Sequence, residues 1–446
     1  MLYQLKRWIP KPALQAYHYG LAAGAALFAR FPSRKLIVIG VTGTNGKSST
    51  TQFIAQLLTE LGATAGYTTT AGFAIAGEHI ENRMKMTMPG RLYLQKLIRH
   101  MVNVGCEYAV IETSSQGIQQ FRHKGINYDM AVFTNLTPEH LEAHGGFDAY
   151  KRAKGKLFAH LTTRPHKTLG GKRMPKISVV NADDEHAEYF SAFRADRHVA
   201  FSWSGVGSAD RMVATRGEVE VRGERSGIQV TVNGLSGFIP FIAEFQQKNV
   251  LAAIATVHAL GFSLPDVLGA AARLAPIPGR FEEVAMGQDF SVIVDYAYEP
   301  YAIEALLDAA HHLSPKRIIG VHGSAGGGRD VGRRYKIGHL AAGREDIVIV
   351  TNEDPYDEDP RKIIEDVARG ARDGGKVLGE NLFLYDDREE AIHAAIRVAQ
   401  TGDVVLLTGK GNEPVIAVSN GKKMPWSDRA AAERALIQRG YGTRHT

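Results

Sequence analysis

The chain has 446 residues, 44% hydrophobic and 22% charged, an ordinary globular composition with room for two or three domains at about 150 residues each. Its formal net charge of +6 is mild for this length. A polyanionic small substrate accounts for it as well as nucleic acid does, so no nucleic-acid partner is expected. The single cysteine, Cys106, excludes an intramolecular disulfide and a cysteine-based zinc site, and fits the reducing cytoplasm.

The first element is the stretch LQAYHYGLAAGAALFARF, preceded by Lys6, Arg7 and Lys11. Tyr17 and His18 interrupt it, and it falls short of the ~20 residues a spanning helix needs. It reads as a helix packed on the body, within an N-terminal segment covering residues 1–35; peripheral membrane contact is the lesser alternative. Lys35 to Val41 is β-branched and apolar, the composition of a strand buried on both faces. From Ser48 onward Phe53, Ile54, Leu57, Leu58 and Leu61 recur at helical spacing. Between them, Gly43 and Gly46 let the backbone aim N–H groups at an anion, Lys47 reaches toward outer phosphates and Ser48 offers a hydroxyl to Mg²⁺. Val41 stands where the strict G-x-x-x-x-G-K-[ST] pattern has glycine, so TGTNGKS is a variant phosphate loop rather than an ordinary glycine-rich turn.

EYAVIET (107–113), DMAVFTNL (129–136) and KISVVNAD (176–183) are short apolar runs ending in polar residues, as central parallel strands do when functional loops follow them. Residues 198–240 alternate and carry repeated glycines, predicting antiparallel hairpins. AEFQQKNVLAAIATVHALG returns to helix, and LAPIPGRFEEV (274–284) marks a boundary. Beyond it FSVIVDYA, RIIGVHGS, DIVIVTNE and DVVLLTGKG predict a smaller α/β domain. The expected domains are thus 36–277 and 278–446, with nucleotide and chemistry in the cleft between them.

Two constellations carry chemistry. Glu112 ends a strand and precedes two serines, where a carboxylate can serve Mg²⁺. In TNLTPEHLEAHGGFDAYKRAKGKLF (134–158), Asn135, Glu139, His140, Glu142 and His144 crowd a loop before Tyr150 and Lys154. Zinc is disfavoured there because the HExxH pattern is absent. Taken singly, the histidines read as cap or surface residues and Lys154 as a solvated helix lysine.

In combination, T-G-T-N-G-K-S, E-T-S-S, T-N-L-T-P-E-H-L-E-x-H-G and A-K-x-x-L-F resemble the Mur ligase family, as do PGRFE, VDYAYEP, GGGRD, TNEDPYDEDP and TGKGNE further on. The resemblance runs from about residue 36 to the end, closest to the tripeptide-forming branch, which extends UDP-MurNAc-L-Ala-D-Glu. It implies an α/β fold with a central P-loop ATPase domain on a parallel sheet and a smaller Rossmann-like C-terminal domain. It implies a cytoplasmic, ATP-dependent amide ligase that works through an acyl phosphate with two Mg²⁺ ions.

Carried over by position, Gly43, Thr44, Asn45, Gly46, Lys47, Ser48 and Ser49 hold the phosphates, and Ser48 and Glu112 address one metal. His140 reaches the second, as does Lys154, the family's carbamylated lysine. Asn249, Arg280, Asp295 and Tyr298 match adenosine-binding positions; Thr87, Ser114, Gln120 and Arg122 match acceptor positions. Arg329, Glu353, Asp354, Tyr356, Gly409 and Glu413 match those for the incoming amino acid. The partners implied are small molecules: ATP, a muropeptide and an amino acid.

Departures are equally specific. Some 35 residues precede the first strand where the family carries a UDP-binding domain, so acceptor recognition is expected to rest on the peptide and nearby phosphates or sugar. Gln116 replaces the histidine of S-S-H, Met88 the second threonine of T-T-P and Tyr298 the histidine of D-Y-A-H. Tyr356 replaces the arginine of D-N-P-R and brings no charge for a second donor carboxylate, which favours a basic amino acid such as lysine or ornithine; the alternative is that Arg361 or another nearby cation substitutes from a shifted position and diaminopimelate is used. The competing readings are a folylpolyglutamate- or cyanophycin-type ligase and a nucleotide-binding subunit without catalysis.

Overall fold

The structure is a computed structural model that describes residues 11–82, 84, 86–138, 144–203, 205, 211–222, 225–328 and 331–442. The chain divides into two compact units, Met1–Ala275 and Pro276–Thr446.

The first unit is built on one mixed sheet. Its strands are β1 (Ile37–Thr42), β2 (Ala65–Thr68), β3 (Gly72–Ile75), β4 (Glu78–Glu81), β5 (Tyr108–Glu112), β6 (Met130–Phe133), β7 (Ile177–Asn181), β8 (Arg197–Ser202), β9 (Arg211–Arg222), β10 (Arg225–Val232) and β11 (Leu235–Ile239), in the order β11-β10-β9-β8-β7-β6-β1-β5-β2-β3-β4. From β2 to β9 neighbouring strands run parallel. The centre is buried on both faces, which is why Val38, Ile39, Val41 and Val110 to Ile111 read as unbroken apolar runs. The expected hairpins are present as β9-β10-β11. Residues 197–202 depart from that expectation: β8 pairs parallel to β7 and continues the sheet. The β2-β3-β4 meander escaped sequence reading because its strands are only four residues long.

The helices that matter for the site are α1 (Lys11–Phe28), α2 (Lys47–Glu60), α3 (Arg91–Asn103), α4 (Ser115–Gln119), α5 (Phe147–Thr162) and α6 (Glu244–Ala259). As the sequence predicts, α1 packs on the body: Ala22, Ala25, Ala26 and Ala29 form its buried stripe, and Ala26 lies against Gly125.

The second unit is built on a six-stranded sheet of β12 (Glu282–Glu283), β13 (Ser291–Val294), β14 (Ile318–His322), β15 (Ile347–Thr351), β16 (Leu382–Tyr385) and β17 (Val404–Leu407), ordered β12-β13-β17-β14-β15-β16. All pairs except β12-β13 are parallel. Helices α7 (Pro300–His311), α8 (Gly332–Arg344), α9 (Pro360–Asp373), α10 (Arg388–Val398) and α11 (Asp428–Gln438) accompany it. Apolar clusters with Ile319, Val405 and Ile392 in one and Ile293, Leu306 and Val367 in the other form its core.

Candidate active site

Sheet register assembles the first half-site. Val41 pairs with Glu112 and Thr42 with Phe133, so the loop after β1 lies between the ends of β5 and β6. Two glycines make that loop possible. Gly43 adopts φ +155° and a Cβ there would lie 1.9 Å from Thr134 Oγ1; Gly46 adopts φ +78°, and its Cβ would lie 2.1 Å from Asn249 Oδ1. Gly46 begins α2 and makes no side-chain cap to the helix's first N–H groups. A helix start of this kind, with its positive dipole end, favours an anion.

The loop is braced from β6. Thr44 N donates to Asn135 O (2.8 Å), Asn45 N donates to Asn135 Oδ1 (2.8 Å) and Thr134 Oγ1 donates to Asn45 O (2.7 Å). Lys47 Nζ folds back to donate to Thr44 O at 2.6 Å. Glu112, 2% exposed, accepts from Ser48 Oγ and from Thr70 N, each at 2.8 Å, and Thr70 Oγ1 lies 2.7 Å from Thr87 Oγ1. Ser48, Glu112, Thr70 and Thr87 thus form one hydrogen-bonded chain, of which Thr70 was not foreseen from sequence. Lys154, buried in α5, donates to Gly43 O at 2.5 Å and sits 4.3 Å from the centroid of the Tyr150 ring. The Tyr150 hydroxyl lies 3.2 Å from Thr44 Oγ1.

Of the other expected residues, Asn249 on α6 faces the phosphate loop through Gly46. Ser49 is buried in the first turn of α2. Ser114 caps α4 by accepting from Gly117 N. Gln120 Oε1 accepts from Arg122 Nη2 (2.7 Å), whose Nη1 donates to the Met88 carbonyl. His144, second of the two histidines weighed for zinc, lies 3.1 Å from Ser115 Oγ through Nε2. His140 lies outside the described residues.

Mg²⁺ fits this donor set. Among the described residues no three His, Cys, Asp or Glu side chains gather to hold a metal by themselves. A single carboxylate with hydroxyls is what a hard cation uses when substrate phosphates and water complete its shell.

In the second unit, Val294 and Val321 both pair with Leu407, which aligns the ends of β13, β14 and β17. Asp295 follows β13 and is buried; it accepts from Phe281 N and Ala297 N, each at 2.7 Å. Burial pushes its carboxyl up, against the pull of Arg280. The Arg280 guanidinium lies 4.4 Å over the Tyr296 ring, and Tyr298 meets Tyr296 edge-on at 5.3 Å. Lys410, fully buried, donates to Asp354 Oδ1 (3.0 Å), Glu413 Oε2 (2.7 Å) and Val415 O (2.8 Å). Tyr296 donates to Glu413 Oε1 at 3.0 Å. Sequence reading named the two carboxylates but not the lysine joining them, although it stands at the centre of G-K-G.

Glu353 is also buried, with Oε2 lacking a hydrogen-bond partner among the described residues and facing Gly409, where a Cβ would come within 2.6 Å of it. Burial raises its pKa, although Arg333 pulls it down. Tyr356 holds φ +51°, a left-handed conformation that a bulky residue adopts at a cost of about 1–3 kcal/mol and that clusters at functional sites. Arg329 lies outside the described residues.

Comparisons with known proteins agree with this architecture. The family profile described as Mur ligase middle domain matches residues 41–257, and that described as Mur ligase, glutamate ligase domain matches residues 279–411. A UDP-N-acetylmuramyl-tripeptide synthetase of Roseiflexus sp. (strain RS-1) is 37% identical, covering 99% of this chain and 87% of that one. A UDP-N-acetylmuramoyl-L-alanyl-D-glutamate--2,6-diaminopimelate ligase of Geobacillus kaustophilus is 36% identical over 94% of this chain and 83% of its own. A solved structure of a ligase of the latter name aligns at TM-score 0.60 and 27% identity, covering 91% of this chain and 79% of that one. A folylpolyglutamate synthase from Mycobacterium tuberculosis aligns at TM-score 0.68 over 94% of this chain and 95% of that one, with 18% identity, a likeness of fold alone.

Proposed function

The chain belongs to the Mur ligase family, and on that premise we propose that it is an ATP-dependent ligase of peptidoglycan synthesis. It joins an amino acid to a carboxylate of the D-glutamate in a UDP-N-acetylmuramoyl-L-alanyl-D-glutamate acceptor. The observation that carries this reading is the chain Ser48–Glu112–Thr70–Thr87 beside the start of α2 at Gly46. The loop N–H groups and Lys47 bind the ATP phosphates, Lys47 leaving the Thr44 carbonyl to do so. The acceptor carboxylate oxygen attacks the γ-phosphorus and ADP leaves. The donor amine then attacks the acyl carbon, the C–O bond breaks, and phosphate departs with its oxygen while the amine loses a proton. Ser48 and Glu112 would hold one Mg²⁺, and His140 and a carbamylated Lys154 a second; the ions supply charge neutralisation for phosphoryl transfer. Gln120 and Arg122 orient the acceptor, and Asn249, Arg280, Asp295 and Tyr298 form the nucleotide's surroundings.

The donor is a basic amino acid. Glu413 is already engaged by Lys410 and Tyr296, whereas Glu353 Oε2 is a buried acceptor without a hydrogen-bond partner among the described residues, suited to a cationic group. Tyr356 brings no positive charge for a second carboxylate. ADP release should require both a UDP-N-acetylmuramoyl dipeptide and an amino acid, with lysine or ornithine preferred over meso-diaminopimelate. Release driven instead by a folate acceptor and glutamate would replace this reading.

A further inference from the structure

Helix α1 is built in reverse. Alanines fill its buried stripe, while its exposed face carries Tyr17 (60% exposed), Tyr19, Leu21, Leu27 and Phe28 (72% exposed). No charged side chain occurs between Lys11 and Arg30. The neighbouring helix α3 adds exposed Leu92 and Tyr93, and a cavity of about 410 Å³ lies between the two, lined by Leu21, Ala25, Arg91, Leu92, Tyr93 and Lys96. Seven of the seventeen large hydrophobic side chains exposed among the described residues sit on these two helices, so the patch is a concentration rather than scatter.

Its charge is one-sided. No Asp or Glu occurs before Glu60, nor between Glu81 and Glu107, whereas the same stretches contain seven and five Lys or Arg residues. Gly125, packed against Ala26, is preceded by Lys124, which lies close enough to Lys156 and Arg164 for their charges to lower its pKa, after burial. Tyrosines, leucines and a phenylalanine beside Arg91 and Lys96 complement an anionic lipid surface: rings and aliphatic chains enter the interface and the cations meet headgroups. No described helix is long and apolar enough to cross a membrane, so the contact is peripheral.

We propose that the α1–α3 face docks the protein on bilayers rich in anionic phospholipid. The test is flotation of the full chain with phosphatidylcholine vesicles, with and without phosphatidylglycerol, at low and high salt. Binding should need phosphatidylglycerol and fall as salt rises. Lys96→Gln should weaken it about fivefold, the effect of one basic residue at such a surface. Leu27→Glu with Phe28→Glu should abolish it while leaving the thermal unfolding midpoint unchanged, both positions being exposed. Failure to bind either vesicle, or binding that ignores lipid charge, overturns the proposal. So does concentration-dependent dimerisation in analytical ultracentrifugation that the double variant dissolves, because a second copy would then cover the face. None of these readouts depends on ligase activity.

Discussion

Replacing Lys410 with methionine isolates the lysine that joins two of the expected donor-binding residues. Its ammonium is fully buried and donates to Asp354 Oδ1, Glu413 Oε2 and the Val415 carbonyl. Methionine keeps the length of the stem but leaves two carboxylates in a low-dielectric pocket without their shared cation. Removing one partner of such a buried pair costs about 3–5 kcal/mol. At about 2–4 °C per kcal/mol for a unit of this size, the unfolding midpoint of the second unit should fall by about 6–20 °C. Because Asp354 also accepts from Ala417 N at 2.6 Å, the shift should propagate to the segment after the glycine loop. Adding Glu413→Gln should recover part of the loss, since one unpaired charge disappears. Calorimetry of the two variants beside the wild type, followed by the KM for the amino acid where the variant folds, makes the assay. A Lys410→Met protein as stable as the wild type, with unchanged KM, would refute this account of the pocket.

Lys47→Ala should abolish ADP release while leaving the unfolding midpoint near wild type, because the ammonium's hydrogen bond is to a loop carbonyl. Gly46→Ala should lose ATP binding measured by calorimetry, since its methyl meets Asn249 Oδ1; adding Asn249→Ala should restore only part, the left-handed φ still costing about 1 kcal/mol. Lys154→Ala should lose turnover and regain some with added acetate, and intact-mass spectrometry of the wild type in bicarbonate should show one carbamate that this variant lacks. His160, buried against His123, has its pKa lowered to about 4 by burial, although its bond with the Ile126 carbonyl pulls upward. The unfolded chain therefore binds a proton that the native chain refuses between its ordinary 6.5 and 4. Stability should fall across that window on acidification, and urea unfolding of His160→Gln should show a flatter acid limb.

What was legible in the sequence was whatever local pattern determines. The β1 strand, the glycine loop and α2 follow from a β-branched run, two glycines and helical spacing, and the central parallel strands from apolar runs ended by polar residues. Register was not legible, because it depends on which strands become neighbours: only the pairing of Val41 with Glu112 explains why Ser48 and Glu112 meet. Thr70 was overlooked because the last of three consecutive threonines, just past a four-residue strand, carries no periodic signal. Lys410 was overlooked for a different reason: lysines are seldom buried, and nothing local says that two carboxylates, one of them 56 residues away, converge on it. The parallel course of residues 197–202 was masked by the glycine-rich hairpins that follow.

The acyl-phosphate route is tested most directly by labelling both carboxylates of the acceptor's D-glutamate with ¹⁸O and collecting the inorganic phosphate formed with ATP and lysine. Attack of one of these carboxylates on the γ-phosphorus, followed by amine displacement, carries one labelled oxygen into the phosphate. The account predicts labelled phosphate in amounts matching the tripeptide product. Unlabelled phosphate accompanying the same product would contradict it.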